Sequence, residues 1–344
     1  MSEGEPVQEP QQTSTPLSSN TALWAGIAFS IGFAGLIAAL DPLLKPIAFA
    51  PDTGASHYYW KLPDPTALTR AVAWACYAAH QLAIWGLIFA AQRQQPKTTR
   101  GVHWFNASAL AVNAFFVLLH LAQTHVTYDG LAQDVSIWSS QASVVLLLVV
   151  VLLMENQRRG LAFGKRASVL LESGRFARKY HGYLFSWAVV YTFWYHPMEA
   201  TWGHLLGTFY TALLMLQGSL FFTRVHTNRW WTLALETLVI VHGTMVAVQQ
   251  KNGLWPMFLF GFASVFILTQ MHGLGLPRWV RALFVVAYVG GIALVYSTAR
   301  PLANVHEVLR IPLVEYLLVF VIAALVAAGA FLWRRIAAKA AGVA

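Results

Sequence analysis

Val135-Ser-Ile-Trp-Ser-Ser-Gln-Ala-Ser-Val-Val-Leu-Leu-Leu-Val-Val-Val-Leu-Leu-Met154 is a run of twenty residues without one charge. As a helix rising about 1.5 Å per residue it is roughly 30 Å long, the thickness of a bilayer's hydrocarbon core. Lipid offers no partner for backbone N–H and C=O groups, so such a run crosses as a helix that satisfies them internally. Comparable runs lie on either side, giving ten segments at about 22–40, 71–91, 103–124, 135–154, 179–197, 203–223, 230–249, 254–271, 279–297 and 312–333. The chain is 57% hydrophobic and only 11% charged, which excludes an ordinary soluble domain. The expected fold is all-α and integral to the membrane: a single polytopic bundle of about ten transmembrane helices.

Charge orients the bundle. With the N-terminus cytoplasmic, and Lys179 counted at the head of the fifth segment, the inner loops and termini carry 17 Lys and Arg against 6 on the outer side. Positive loops stay inside, so both termini are expected to be cytoplasmic, which requires an even number of crossings. The net charge of +9 is then a topology signal, and no nucleic-acid partner is expected, because the charge is not gathered on a soluble domain. The expected location is the cell inner (plasma) membrane, with the lipid bilayer as first partner. Three regions follow: a disordered cytoplasmic tail over 1–20, rich in Glu, Gln, Pro, Ser and Thr and without the basic start and apolar middle of a signal peptide; the ten-helix domain over 21–336; and a short cytoplasmic tail over 337–344. The basic loop 155–178 reads as a topology anchor, with an acidic partner as its alternative, and His57-Tyr58-Tyr59-Trp60 as an interfacial aromatic anchor.

Against this apolar background the histidines stand out: His80, His120, His125, His196, His204, His242 and, more loosely, His57. Ionisable side chains inside a bilayer are costly and normally face a cavity, a partner or an ion. Helical rise places His80 and His242 near the midplane, and His120, His196, Glu199 and His204 in an outer tier. His196 and His204 flank Glu199 on a tight hairpin turned by Pro197. On the third segment Asn106, Asn113 and His120 recur every seven residues, with Gln123 one turn beyond; the stripe reads either as interhelical hydrogen bonding or as a hydrated path to His120. Glu236 is the one carboxylate read as clearly inside a membrane segment, with Arg224 or Arg229 as its expected ion partner.

The single cysteine, Cys76, excludes an intramolecular disulfide framework and any Cys-based metal cage, so a metal here would be held by imidazole and carboxylate. His80, His120, His196, His204 and His242 are the expected metal ligands, with His80 and His242 as alternative axial ligands of a haem, and Glu199 and Gln123 as catalytic groups beside them. Iron or copper suits these donors, and zinc is a further option. His103, His181, His226 and His272, near the cytoplasmic ends, offer a weaker second haem site. Mid-helix lysine for a retinal Schiff base, a Gly-rich phosphate loop, paired Asp-rich motifs and histidine-box spacing are all missing from the sequence.

These residues point first to a multi-pass membrane metalloprotein: a metal- or haem-dependent oxidoreductase acting on a lipid-like or quinone-like small molecule, or a gas, in the outer half of the membrane. An electron-donor protein would be its second partner. The alternatives are a proton-coupled transporter using the same histidines as a relay, and a metal-dependent lipid hydrolase drawing on Ser139, Ser140 and Ser143.

Overall fold

The structure is a computed structural model that describes residues 17–51, 53, 57–94, 96–251 and 253–340, with side chains through 337. Residues 1–16 of the expected N-terminal tail and 341–344 of the expected C-terminal tail lie outside that set. Among the described residues there are ten α-helices and no sheet: α1 (Ser19–Leu40), α2 (Ala67–Gln94), α3 (Trp104–Thr127), α4 (Ile137–Arg159), α5 (Leu171–Tyr195), α6 (Trp202–Ser219), α7 (Arg229–Gln249), α8 (Trp255–Leu268), α9 (Arg278–Thr298) and α10 (Arg310–Ala340). Short 3₁₀ turns extend α1, α8 and α10.

Eight of these segments, α1 to α4 and α7 to α10, are long and apolar enough to cross a membrane. Their outward faces carry large apolar side chains. On α9, Leu283, Val286, Val289 and Leu294 are each more than half exposed, and α1 and α10 do the same with Trp24, Ile31, Leu317 and Leu325. Water would not tolerate a belt of that extent, whereas lipid tails solvate it. The chain is a helical membrane bundle.

α5 and α6 fall short on composition rather than on position. The first half of α5 carries Glu172, Arg175, Arg178 and Lys179, and α6 is only 18 residues long and interrupted by Gly203, His204 and Gly207. Both are wrapped by other helices: α5 by α2, α4, α6 and α10, and α6 by α1, α3, α5 and α7. A helix surrounded by protein has no need of a lipid-facing stripe and can carry polar groups inward.

The loops sort to two ends. At one, Ala200 N donates to Asp41 Oδ1 (2.7 Å), Met198 N to Thr124 Oγ1 (3.1 Å) and Leu62 N to Gln133 Oε1 (3.2 Å), which ties together the α1–α2, α3–α4 and α5–α6 connections. At the other, Val102 N donates to Leu17 O, Thr99 N to Phe222 O and Arg224 N to Thr99 O.

Three expectations need correction. The stretch 155–178 is not one long loop: α4 continues to Arg159 and α5 starts at Leu171, because charged residues can extend a helix beyond the lipid although they end a hydropathy run. Within 57–60, Tyr58 and Trp60 fold inward against Tyr195 and His204, Tyr58 to 6% exposure, which leaves Tyr59 as the exposed ring of the expected aromatic anchor. Helix boundaries also shift at both ends, with α1 starting at Ser19 behind the Ser18 cap and α10 running to Ala340.

Candidate functional site

His80 and His120 are both fully buried, on either side of Trp194. The Trp194 indole Nε1 donates to His80 Nδ1 (3.1 Å), and His80 Nε2 meets Asn113 Oδ1 at 2.8 Å. Asn113 in turn donates through Nδ2 to Ser219 Oγ (2.9 Å), whose proton goes to Met215 O. Every partner then fixes His80 as the neutral Nε2–H tautomer, with both ring nitrogens occupied. Its ring stacks on Phe116, centroids 4.5 Å apart.

His120 is held differently. Nε2 lies 2.8 Å from the His196 carbonyl oxygen and Nδ1 lies 2.8 Å from Gln123 Oε1. The amide of Gln123 cannot be reversed without loss, because its Nε2 donates to Asp129 O and to Thr127 Oγ1, whose own proton goes to Gln123 O. Both nitrogens of His120 therefore face acceptors, a setting that only the doubly protonated ring satisfies in full. His125 repeats the pattern with the carbonyls of Leu121 and Leu40, where it ties α3 to the end of α1.

The His196–His204 pair sits under the folded-in aromatic segment. Tyr58 Oη lies 2.8 Å from His196 Nδ1, and the Trp60 ring packs on His204 with centroids 4.3 Å apart. The His196 and His204 rings are 5.4 Å apart. His204 Nδ1 is 3.1 Å from Thr201 Oγ1, the side chain that also caps α6, and 3.9 Å from Glu199 Oε2. Glu199 accepts the Tyr128 hydroxyl on its other oxygen. Tyr128 ends α3 in the left-handed region (φ 43°), where a side-chain-bearing residue costs on the order of 1 kcal/mol. That turn aims its hydroxyl at the carboxylate. Burial pushes the Glu199 carboxyl up, against the pull of the Tyr128 hydrogen bond. Beside them a cavity of about 340 Å³ opens, lined by Asp41, Lys45, Phe49, Tyr128, Glu199 and Thr201.

From there a line of titratable side chains follows the α6–α7 interface. His204, Gly207 and Tyr210 follow at three-residue steps along α6, each neighbouring the next. Opposite lies His242 of α7, so close that a β-carbon on Gly207 would come within 3.0 Å of its Nε2. His242 is within electrostatic reach of both His196 and His204, and its ring centroid is 6.0 Å from that of Tyr210. Tyr210 is within the same reach of Glu236. Glu236 closes the line in a two-pronged ion pair with Arg159 of α4, Nη2 to Oε1 at 2.8 Å and Nη1 to Oε2. Arg159, not Arg224 or Arg229, is the partner of Glu236; its side chain is buried at the end of α4, where Glu155 is a second ion partner at 3.0 Å.

The expected site residues thus separate. His196, His204, Glu199 and His242 come together. Among the described residues, His80 and His242 share no hydrogen-bonding or ring partner. His120 joins this group through the His196 carbonyl, and Gln123 serves to orient His120. His57 remains apart, on Thr53 and Tyr59. Asn106 and Asn113 tie α3 to the end of α6, so that part of the stripe binds helices rather than water. Ser139 pairs with Tyr191 and Ser143 with Thr192 across α4 and α5. At the opposite end His103 caps α3 and His272 bonds Ile267 O, while the rings of His181 and His226 lie 6.2 Å apart. Among the described residues, no three His, Cys, Asp or Glu side chains converge in a geometry that could hold a metal ion. Tyr58, Tyr128 and Tyr210 are site residues that sequence reading missed; nothing in their spacing marks them, since each reaches the histidines through a tertiary contact.

No model of a protein family matches this chain. No curated protein and no solved structure matches it either.

Proposed function

We propose that this protein is a proton-coupled membrane transporter of a hydrophobic small molecule, with the histidines acting as a relay. The carrying observation is the line Glu199, His204 with His196, His242, Tyr210, Glu236, which leads from an open cavity at one end of the bundle to a buried ion pair towards the other. Each member can bind or release a proton, and side chains of this kind inside a membrane mark proton paths. His120, set between two acceptors, is a place for a proton to rest. The metalloprotein and haem readings have less to stand on, since both nitrogens of His80 and of His120 are engaged.

The reading takes ten crossings, with both termini and the basic loops cytoplasmic. Its support is the central position of α5 and α6, the sorting of loops to two ends and the asymmetry of Lys and Arg. The substrate class follows from a second cavity of about 230 Å³ between α1, α3 and α6, lined by Ala22, Gly26, Phe29, Val117, Met215 and Leu216, with Asn113 and Ser219 as polar groups in its wall. Apolar walls with a few polar groups are what such a ligand requires.

The test is reconstitution into liposomes holding a pH-sensitive dye, challenged with a panel of hydrophobic solutes under an imposed pH gradient. Solute-dependent proton flux, lost in His242→Ala, is the expected result. Gradient-independent behaviour in which His242→Ala matches the wild type would overturn the relay. Metal content and the absorption spectrum are measured on the same sample: stoichiometric metal that disappears in His204→Ala would restore the metalloprotein reading.

A further inference from the structure

Glu315 lies outside the histidine line, on α10. Its residue is 1% exposed, and neither carboxyl oxygen has a hydrogen-bond partner. The surroundings are apolar by construction. Ile311, Glu315, Val319 and Ala323 follow one another at four-residue intervals and form one stripe of the helix. Ile311 packs on Gly261 of α8, and Val319 and Ala323 enter a core with Val149, Leu153, Leu170 and Val265.

The charged groups on every neighbouring element are committed to other partners, exposed or missing. α8 has no titratable residue at all. On α4 they are confined to the last turn, where Glu155, Arg158 and Arg159 pair with each other and with Glu236. On α5, Glu172 pairs with Arg334 and Arg178 bonds Met154 O, while Arg175 and Lys179 are exposed. Before α10, Glu307 is held by Arg300 and Tyr296, and Arg310 meets His306. The adjacent Tyr316 turns its hydroxyl to Thr269 Oγ1 and Leu161 O. An isolated carboxylate in such a place is too costly to keep, while the neutral acid is tolerable.

We propose that Glu315 is a proton-binding site of the bundle, separate from the histidine line: a carboxylic acid that keeps its proton while α10 is packed on α4 and α8, and whose proton leaves only when that packing opens. The ligand is the proton itself, and the element that moves is α10. The inference does not rest on the transporter reading, because it concerns a different helix and needs no substrate.

The experiment uses the full-length protein in liposomes. Infrared difference spectra between Glu315→Gln and the wild type at neutral pH should show the loss of a protonated carboxylic acid C=O band. In parallel, dicyclohexylcarbodiimide, which partitions into lipid and reacts with the protonated acid, should label Glu315, as mapped by mass spectrometry. A water-soluble carbodiimide should not. Because glutamine keeps the shape of the side chain without its proton, the variant is expected to fold, and its melting temperature on raising the pH should fall less than that of the wild type. A carboxylate band at neutral pH, or equal labelling by both reagents, would overturn the proposal.

Discussion

Arg159 and Glu236 are 77 residues apart in sequence, yet the two terminal nitrogens of the arginine close on the two carboxylate oxygens. The arginine side chain is 2% exposed and the carboxylate 12%. Desolvating two charges is expensive, and their mutual attraction offsets it only while both are present. Arg159→Ala should therefore destabilise the protein by about 3–5 kcal/mol, whereas Arg159→Met with Glu236→Leu should recover most of that loss. Unfolding of the two variants in detergent by denaturant titration gives the comparison; equal losses would mean that the pair is solvated.

Tyr128 holds Glu199 by a hydrogen bond that favours the ionised carboxylate. Tyr128→Phe removes that donor, so the carboxyl should hold its proton to higher pH. The pH profile of proton flux, or a direct titration of Glu199 by infrared spectroscopy, should move upward accordingly. An unmoved profile would place Glu199 outside the relay.

Gly207 leaves just enough room for His242. A β-carbon there would stand 3.0 Å from the imidazole Nε2, tight enough that the ring must give by a few tenths of an ångström. Gly207→Ala should reduce coupled flux while the protein still inserts and folds, and Gly207→Val, with two further methyl groups, should abolish it. Flux measured on both variants, with melting temperature as the folding control, tests the approach of α6 to α7.

His226 sets one limb of the stability profile. Burial, then the neighbouring His181, lowers its imidazole to about 4, against the Gln217 carbonyl bond. The unfolded chain takes up a proton near pH 6.5 that the folded chain refuses until about pH 4. More protons bound when unfolded means that stability falls as the pH falls through this window. Glu199 has the opposite sign: its carboxyl is raised from 4.5, so its contribution is present below that pH and is lost as the pH rises through the folded value. His226→Gln should flatten the fall between pH 6.5 and 4 by on the order of 1 kcal/mol, since the group is half-buried and partly screened. Melting curves across that range decide it.

Chain composition and the spacing of apolar runs were enough to read a helical membrane bundle and to place a segment on each of the ten α-helices, although α5 starts eight residues earlier and α10 ends seven later than expected. The reason is that lipid imposes one rule on every residue of a spanning segment, and that rule is local. Local reading failed where charge and depth part company. The basic residues at the head of α5 remain helical, Tyr58 and Trp60 fold inward, and Glu315 is hidden in a segment that otherwise reads as plain hydrocarbon. The convergence of His196, Glu199 and His204 was legible because they share one hairpin. What only the tertiary structure decided is which partner each histidine nitrogen meets, that Arg159 answers Glu236, and that His242 meets α6 through Gly207. Those facts depend on which faces of separate helices touch. Interhelical contacts are selected by packing and hydrogen-bond complementarity across the whole bundle, and no periodicity within a single helix records them.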